Sequence, residues 1–358
     1  IFRKGGKLPH NLVFYYNANS IEIVKFTYLG IVFTSGGSFF ETQQTLAGQA
    51  MKALFSMNKY LHKFTDISVL HRLDLFDKLV SPILNYASEV WGFNEGLAIE
   101  RVHMQFCKRI LGVKRTTQND FIYGELGRMS FKNIRLYNIL RYWIKRINCN
   151  ENKYVSKVYS MLKSDIENRQ NVKNWCSLVR NLLCELGFYD AWLAQSVGNV
   201  NMFLSLAKQR LKDHFIQNWS SRLEISSRAL FYNNIKCFEL QPYYRIINIK
   251  KFRVCLTQLR VSSHRLQIEA GRWNKPESIP LNERKCNFCN KIEDEYHFML
   301  ECILYRELRV KFIPRYYRMH PNMFKLIELF KSNDVSIVKN LSVYIYKAFE
   351  IRKNNVNL

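Results

Sequence analysis

Four residues near the C-terminal end of the sequence carry its clearest chemistry. Cys286 and Cys289 are separated by two residues, His297 follows after seven more, and Cys302 after a further four. Thiolate and imidazole are the borderline-soft donors that tetrahedral Zn²⁺ prefers, and a Cys-x2-Cys pair can bind one ion from a single tight turn. The stretch Asp294-Glu295-Tyr296-His297-Phe298-Met299-Leu300-Glu301-Cys302 has a helical pattern, which is expected to project His297 and Cys302 from one face. With four protein ligands no coordination position stays open, so the expected cofactor is a structural zinc. The alternative is four unconnected residues in a helical hairpin, but Cys/His clustering this tight points to metal.

A second constellation is electrostatic. The stretch from Arg101 to Arg146 carries Lys108, Arg109, Lys114, Arg115, Arg128, Lys132, Arg135, Arg141 and Lys145, opposed between its helices by Asp120 and Glu125. Cations without Glu partners at i, i+4 are less typical of a merely solvated face, and on one side of a helix they suit contact with phosphates. No third constellation emerges: His71, His103, His214 and His264 sit in helical patterns with no nucleophile motif beside them.

The elements that must position these residues are mainly helical. Residues 12–33 form the β region, with a run from Leu12 to Tyr16, a polar turn at Asn17-Ala18-Asn19-Ser20, and a run from Ile21 to Phe33. Helical periodicity follows through Leu46, Ala50, Leu54, Met57 and Leu61, and then from Val69 to a break at Pro82, with Asp66 as the expected cap. A helix over Leu97 to Leu111 should stop at Gly112, and another should start from Ser130 and bury Ile134, Leu140, Trp143 and Ile147. After the polar run Asn148 to Asn152 come a helix over Val172 to Leu186, a long one through Leu204, Leu211, Phe215 and Trp219, and one over Lys250 to His264. Trp273-Asn274-Lys275-Pro276 reads as a linker. The expected fold is mainly α: a short N-terminal β-hairpin, a helical bundle, a further helical region and a small zinc-binding module. The expected boundaries are 1–40, 41–148, 149–275 and 276–358.

Composition bounds the partners. The 358 residues include 54 Lys and Arg against 29 Asp and Glu, a formal charge of +25, and a surplus this large points first to RNA or DNA. The 20 Tyr and 25 Phe could stack on bases, although at helical spacing aromatics more often build core. No stretch has the ~18 to 20 uninterrupted apolar residues of a membrane span, and no signal-peptide pattern opens the chain. The expectation is no membrane partner and an intracellular location, nuclear or cytoplasmic. Of the nine cysteines, Cys107, Cys176, Cys184, Cys237 and Cys255 are expected as buried free thiols.

Several segments resemble the LINE-type (non-LTR) retrotransposon reverse transcriptases of the jockey kind. Ile1-Phe2-Arg3-Lys4-Gly5-Gly6 and Phe26-Thr27-Tyr28-Leu29-Gly30-Ile31 are similar to the end of the palm, with Tyr28, Leu29 and Gly30 as the primer grip. Leu75 to Gly92, Lys108-Arg109-Ile110-Leu111-Gly112-Val113 and Tyr123-Gly124-Glu125-Leu126-Gly127-Arg128 are similar to the region downstream. So are Leu259-Arg260-Val261-Ser262-Ser263-His264 and Ile268-Glu269-Ala270-Gly271-Arg272; residues 150–245 match least. The resemblance implies that residues 41–148 are thumb-like helices gripping template and primer, and that residues 149–275 connect them to the zinc module. The family's two-metal nucleotidyl transfer needs palm aspartates, and no Asp-Asp pair occurs in the sequence. Mg²⁺ would therefore belong to a palm and fingers outside this chain, and the chain, which opens at Ile1, is expected to be a non-polymerising piece of a longer protein. Beyond Cys302 the acids, such as Asp334, form no nuclease arrangement. The alternative reading is a non-catalytic, zinc-stapled helical scaffold or protein-interaction module.

Overall fold

Left-handed backbone at two pairs of adjacent residues folds the β segment, in the computed structural model of the chain, into two successive hairpins. The structure describes residues 14–21, 25–34, 36–61, 63–64, 67–148, 153–169, 171–274 and 276–356. The expectations placed on Ile1 to Gly6, on Leu12, on Asp66 and on Lys275 lie outside them. β1 (Phe14–Tyr16) pairs antiparallel with β2 (Asn19–Ile21), and β3 (Lys25–Tyr28) with β4 (Ile31–Thr34). The registers Tyr16↔Asn19 and Tyr28↔Ile31 leave two-residue loops, Asn17-Ala18 and Leu29-Gly30, all four residues at positive φ. Such loops match the right-handed twist of the strands they join. The run expected from Ile21 to Phe33 is therefore broken by a turn of its own. The Thr42 hydroxyl, which accepts from Val32 N and donates to Val32 O, both at 2.9 Å, clips β4 to the helix Phe40–Leu61.

After β4 the described residues are helical or irregular apart from one isolated β-bridge, and the chain gathers into two compact units interleaved along its length. One lies within residues 1–65, 73–103 and 129–215, the other within 66–72, 104–128 and 216–358.

In the first unit the helix Phe131–Ile147 is central. Ser130 occupies its N-cap position as expected, but its hydroxyl makes no capping bond. Glu100 does that work: Oε2 accepts from Phe131 N at 2.8 Å, and Oε1 lies 2.8 Å from Nδ1 of the buried His103. The inner face buries Ile139, Leu140, Trp143 and Ile144 in one core with Cys176, Val179, Leu183, Trp192, Phe203 and Leu211. That core spans the boundary expected at 148, with helices on either side of the polar break packed together. Asn174 and Ser177 form the capping box that starts the helix Trp175–Glu185.

The second unit is organised by a buried ion pair. Arg260, at the end of the helix Lys250–Arg260, lies against Glu125 in the helix Asn119–Leu126, with Nη2 3.0 Å and Nε 3.1 Å from Oε1. Neither side chain is more than 3% exposed. Gln241 Oε1 accepts a further Nη2 bond at 2.9 Å and the Phe330 carbonyl an Nη1 bond at 3.2 Å, while the Tyr243 hydroxyl donates to Glu125 Oε2 at 2.5 Å. Burial opposes the charge on Arg260, but the Glu125 carboxylate outweighs it and lifts the guanidinium above its ordinary pKa. Both glycines around Glu125 are forced by proximity. A Cβ on Gly124 would strike the Tyr232 hydroxyl and the Trp219 indole, and one on Gly127, at φ +60°, would come within 2.7 Å of Glu239 Cα.

Of the cysteines expected to be buried, Cys107 and Cys176 are, Cys255 is half-buried, and Cys184 and Cys237 are exposed. The last two sit where helix or loop faces turn outward, a distinction periodicity makes poorly for small side chains.

Removing one partner of the buried pair, as in Glu125→Ala, strands a guanidinium in the interior and is expected to cost ~3 to 5 kcal/mol of stability. Urea unfolding checks this: a midpoint unchanged from wild type would show that the pair is not desolvated as described.

Candidate metal centre

Local backbone geometry converges the four donors. Cys286 and Cys289 sit on a tight turn closed by Cys286 N donating to Lys291 O at 2.7 Å and Asn290 N to Cys286 O at 3.0 Å, with Asn290 left-handed at φ 52°. An antiparallel bridge between Lys285 and Ile292 backs the turn. The other two donors come from a π-helical turn, His297–Glu301, closed by Cys302 N donating to His297 O at 2.8 Å. In a regular α-helix a residue five positions on lies ~140° around the axis. The wider turn brings His297 and Cys302 onto the same side, and the shared face expected from an ordinary helix is in fact made by this distortion.

All four ligand atoms lie within 4.8 Å of one another. The Cys302 sulfur is 3.8 Å from that of Cys286 and 3.7 Å from that of Cys289. Two sulfurs bound tetrahedrally to one Zn²⁺ at ~2.3 Å stand ~3.8 Å apart, so the spacing is that of a shared ion. The imidazole agrees. His297 Nε2 is buried with no hydrogen-bond partner among the described residues, whereas Nδ1 lies 3.4 Å from Glu301 Oε2. A buried nitrogen without a partner is costly, and a carboxylate behind the other ring nitrogen is the usual way a zinc-bound histidine is oriented. Burial, with the neighbouring Cys286 and Cys289 thiols, pushes the Cys302 thiol up to about 12. A metal ion must therefore displace a firmly held proton there.

The distortion is supported from outside. The Tyr344 hydroxyl, on the long helix Val335–Val356, lies 3.0 Å from Phe298 O and 3.1 Å from Met299 O, and Arg309 Nη2 donates to Glu301 O at 3.2 Å. The Phe298 ring packs on Tyr305 and Phe349 at 5.0 Å each. Arg352, on the same long helix, grips Glu293 through two bonds of 2.7 and 2.6 Å, and Glu293 Oε2 also accepts from Gln267 N. His264 Nδ1 accepts from Leu266 N, leaving Nε2 to donate to Glu295 at 3.0 Å, just ahead of the π turn. Sequence patterning singled out none of Tyr344, Arg309, Glu293 or Arg352. Glu301, four residues after His297, was the one visible signal.

The residues expected to touch nucleic acid divide between the two units. Tyr28, Leu29, Gly30, Lys132, Arg135, Arg141 and Lys145 belong to the first unit, and Lys108, Arg109, Lys114, Arg115 and Arg128 to the second. Tyr28 and Leu29 are exposed at the tip of the second hairpin, and Arg109, Lys114, Arg115, Arg141 and Lys145 are exposed as well. Lys132 is paired with Glu95 at 2.8 Å. Arg135 is a correction: it is 1% exposed, and its guanidinium turns inward to Gly92 O and Asn94 O. It lies in phase with the buried Phe131 and Ile139 rather than with Lys132, the segment Gly92 to Gly96 folds over it, and it cannot reach a phosphate. Arg128 and Lys108 are half-buried, Lys108 donating to Arg115 O at 3.0 Å.

No family model, curated protein or solved structure matches the chain. None of the described helices is long and apolar enough to cross a membrane.

Glu301→Gln is expected to keep the fold and weaken Zn²⁺ binding ~10- to 100-fold, the usual effect of losing a carboxylate behind a ligating histidine. Competition with a chromogenic chelator measures it; wild-type affinity in the variant would remove Glu301 from the site.

Proposed function

We propose that this chain is a non-catalytic helical scaffold stapled by a structural zinc ion, held by Cys286, Cys289, His297 and Cys302. The observation that carries this reading is the convergence of four donors within 4.8 Å, which leaves a tetrahedral ion no open position for a substrate or an activated water. The site is also tied into its unit: Tyr344 holds the π turn's carbonyls, and Arg352 holds Glu293 just before it. Metal removal should therefore loosen more than the knuckle. With a chelator, or in Cys302→Ser, amide exchange is expected to quicken across residues 286–312 and 335–356 while the helix Phe131–Ile147 stays protected. Unchanged exchange on loss of the metal would rule out a staple.

A second reading gives the scaffold a polyanionic partner: a region of a retroelement polymerase that grips RNA or DNA downstream of a palm it does not contain. What supports it is the +25 charge, much of it on exposed side chains, together with the pairing of Glu125 and Arg260. Those two residues come from two of the segments that resemble the jockey-like enzymes. The test is binding of the zinc-loaded chain to an RNA–DNA primer-template, with nucleotide incorporation assayed alongside. A grip making ~6 to 10 phosphate contacts loses ~10³ to 10⁵ in affinity between 50 and 200 mM salt, and no incorporation is expected. Absence of binding at low salt would leave the scaffold reading alone.

A further inference from the structure

Around Arg228 the second unit concentrates cations beside an exposed aromatic ring. The Arg228 guanidinium donates to Thr116 O at 3.3 Å, meets the buried Glu269 carboxylate at 3.3 Å, and lies over the Trp273 ring with 5.5 Å to the centroid. It thus joins the loop after Gly112 to the turn Gly271–Trp273. That loop carries Lys114 and Arg115, both exposed, and is fixed by Lys114 N donating to Ser263 Oγ at 2.9 Å and Lys114 Nζ to His264 O at 2.7 Å. Arg265 follows directly and is exposed, and Lys108 completes the group. The cations sit close enough to oppose one another. Lys114 is held below its ordinary pKa by partial burial and then by Arg265 and Arg228, with Glu269 acting the other way, and Lys108 by partial burial and then by Arg228. Glu269 also pairs with Arg272 at 2.9 Å, and at 3% exposure it anchors both guanidiniums from below, offsetting one of their two charges and leaving Lys114, Arg115 and Arg265 outside the pairing.

We propose that Trp273, backed by Arg228 and flanked by Lys114, Arg115 and Arg265, is a stacking platform for single-stranded nucleic acid. The proposal rests on the nucleic-acid reading above and names where the strand would lie. Trp273 is 61% exposed with its Arg228 contact made, which leaves π surface for a partner. Packed cations answer the phosphates of any polyanion, but an open indole beside them answers a base, and only an unpaired base offers its face. A duplex, a polyphosphate or an acidic peptide would use the charges and leave the ring idle.

The zinc-loaded full chain is titrated with a single-stranded oligonucleotide, the matching duplex, and an abasic oligonucleotide of equal charge. Trp273→Ala is expected to weaken the single strand ~5- to 100-fold, the span of one base–aromatic stack, with little change for the duplex or the abasic strand. Arg115→Gln with Arg265→Gln should lower the salt slope for the single strand by ~1.4, at ~0.7 per phosphate contact. Retained zinc and far-UV circular dichroism establish that these surface variants fold. Wild-type binding that neither set alters would overturn the platform and leave the broader reading standing. An equal loss on all three ligands in Trp273→Ala would overturn the stacking role, and no binding to any ligand at low salt would overturn both.

Discussion

Burying the carboxylate of Glu125 with the guanidinium of Arg260 is the constraint to which the second unit is fitted. A charge pair removed from water survives only when its remaining donors and lone pairs are also met, and that requirement recruits distant stretches of the chain. Gln241, Tyr243 and the Phe330 carbonyl must all arrive at one point. Tyr243, Tyr244 and Thr257 then form a hydroxyl cluster, with Tyr243 2.8 Å from Tyr244 and 3.0 Å from Thr257. Burial first, and the Glu125 charge second, push the Tyr243 and Tyr244 phenols well above their ordinary range, which keeps them neutral and available as donors. Hydrophobic residues could fill the same volume with less demand on geometry. The pair instead joins the helices Asn119–Leu126 and Lys250–Arg260 to the segments that carry Gln241 and Phe330.

The metal centre is built by a different logic, in which local strain is held by distant packing. A π turn widens the helix and displaces carbonyls from the regular ladder, and such turns persist where the surroundings make them worthwhile. Here Tyr344 meets two of those carbonyls and Arg309 meets the carbonyl of Glu301. In return the turn places the Cys302 sulfur within 4 Å of those of Cys286 and Cys289, at 3.8 and 3.7 Å. The two supports differ in reach: Arg309 lies eight residues beyond Glu301, and Tyr344 lies 46 residues beyond Phe298. The site therefore depends on the long C-terminal helix as much as on its own ligands.

How far sequence could see follows from which forces act locally. The helix Leu97–Leu111 was legible to its ends because its apolar period and the following glycine act within one turn. The cluster of Cys286, Cys289, His297 and Cys302 was legible because a compact four-donor site imposes its spacing on the chain directly. Residue type points to Ser130 as the cap, but the acceptor is Glu100, thirty-one residues before the Phe131 amide it caps, which no local rule could identify. The two units were hidden for the same reason: the chain enters each of them more than once, and contact between distant segments leaves no mark in composition. Arg135 shows the consequence. It falls on the buried stripe with Phe131 and Ile139, four residues to either side, and the segment Gly92 to Gly96 covers its guanidinium.

Arg135 also bears on how a formal charge of +25 should be understood. Arg135, Arg260, Arg309 and Arg352 are each no more than 9% exposed. Two of them face carboxylates and two face carbonyls. A guanidinium is weakly hydrated and offers five donors in a rigid plane, so it can be turned inward to serve several acceptors at once, where a lysine would seldom suffice. An arginine paired with a buried acid takes an acid out of the balance along with itself and leaves the net charge seen by a partner unchanged. One held by carbonyls is different, because its charge is counted but withdrawn from the surface. The electrostatic character of the chain is therefore set by the cations that structure leaves outside, Arg109, Lys114, Arg115, Arg141, Lys145 and Arg265 among them, and composition alone cannot separate those from the ones that hold the fold.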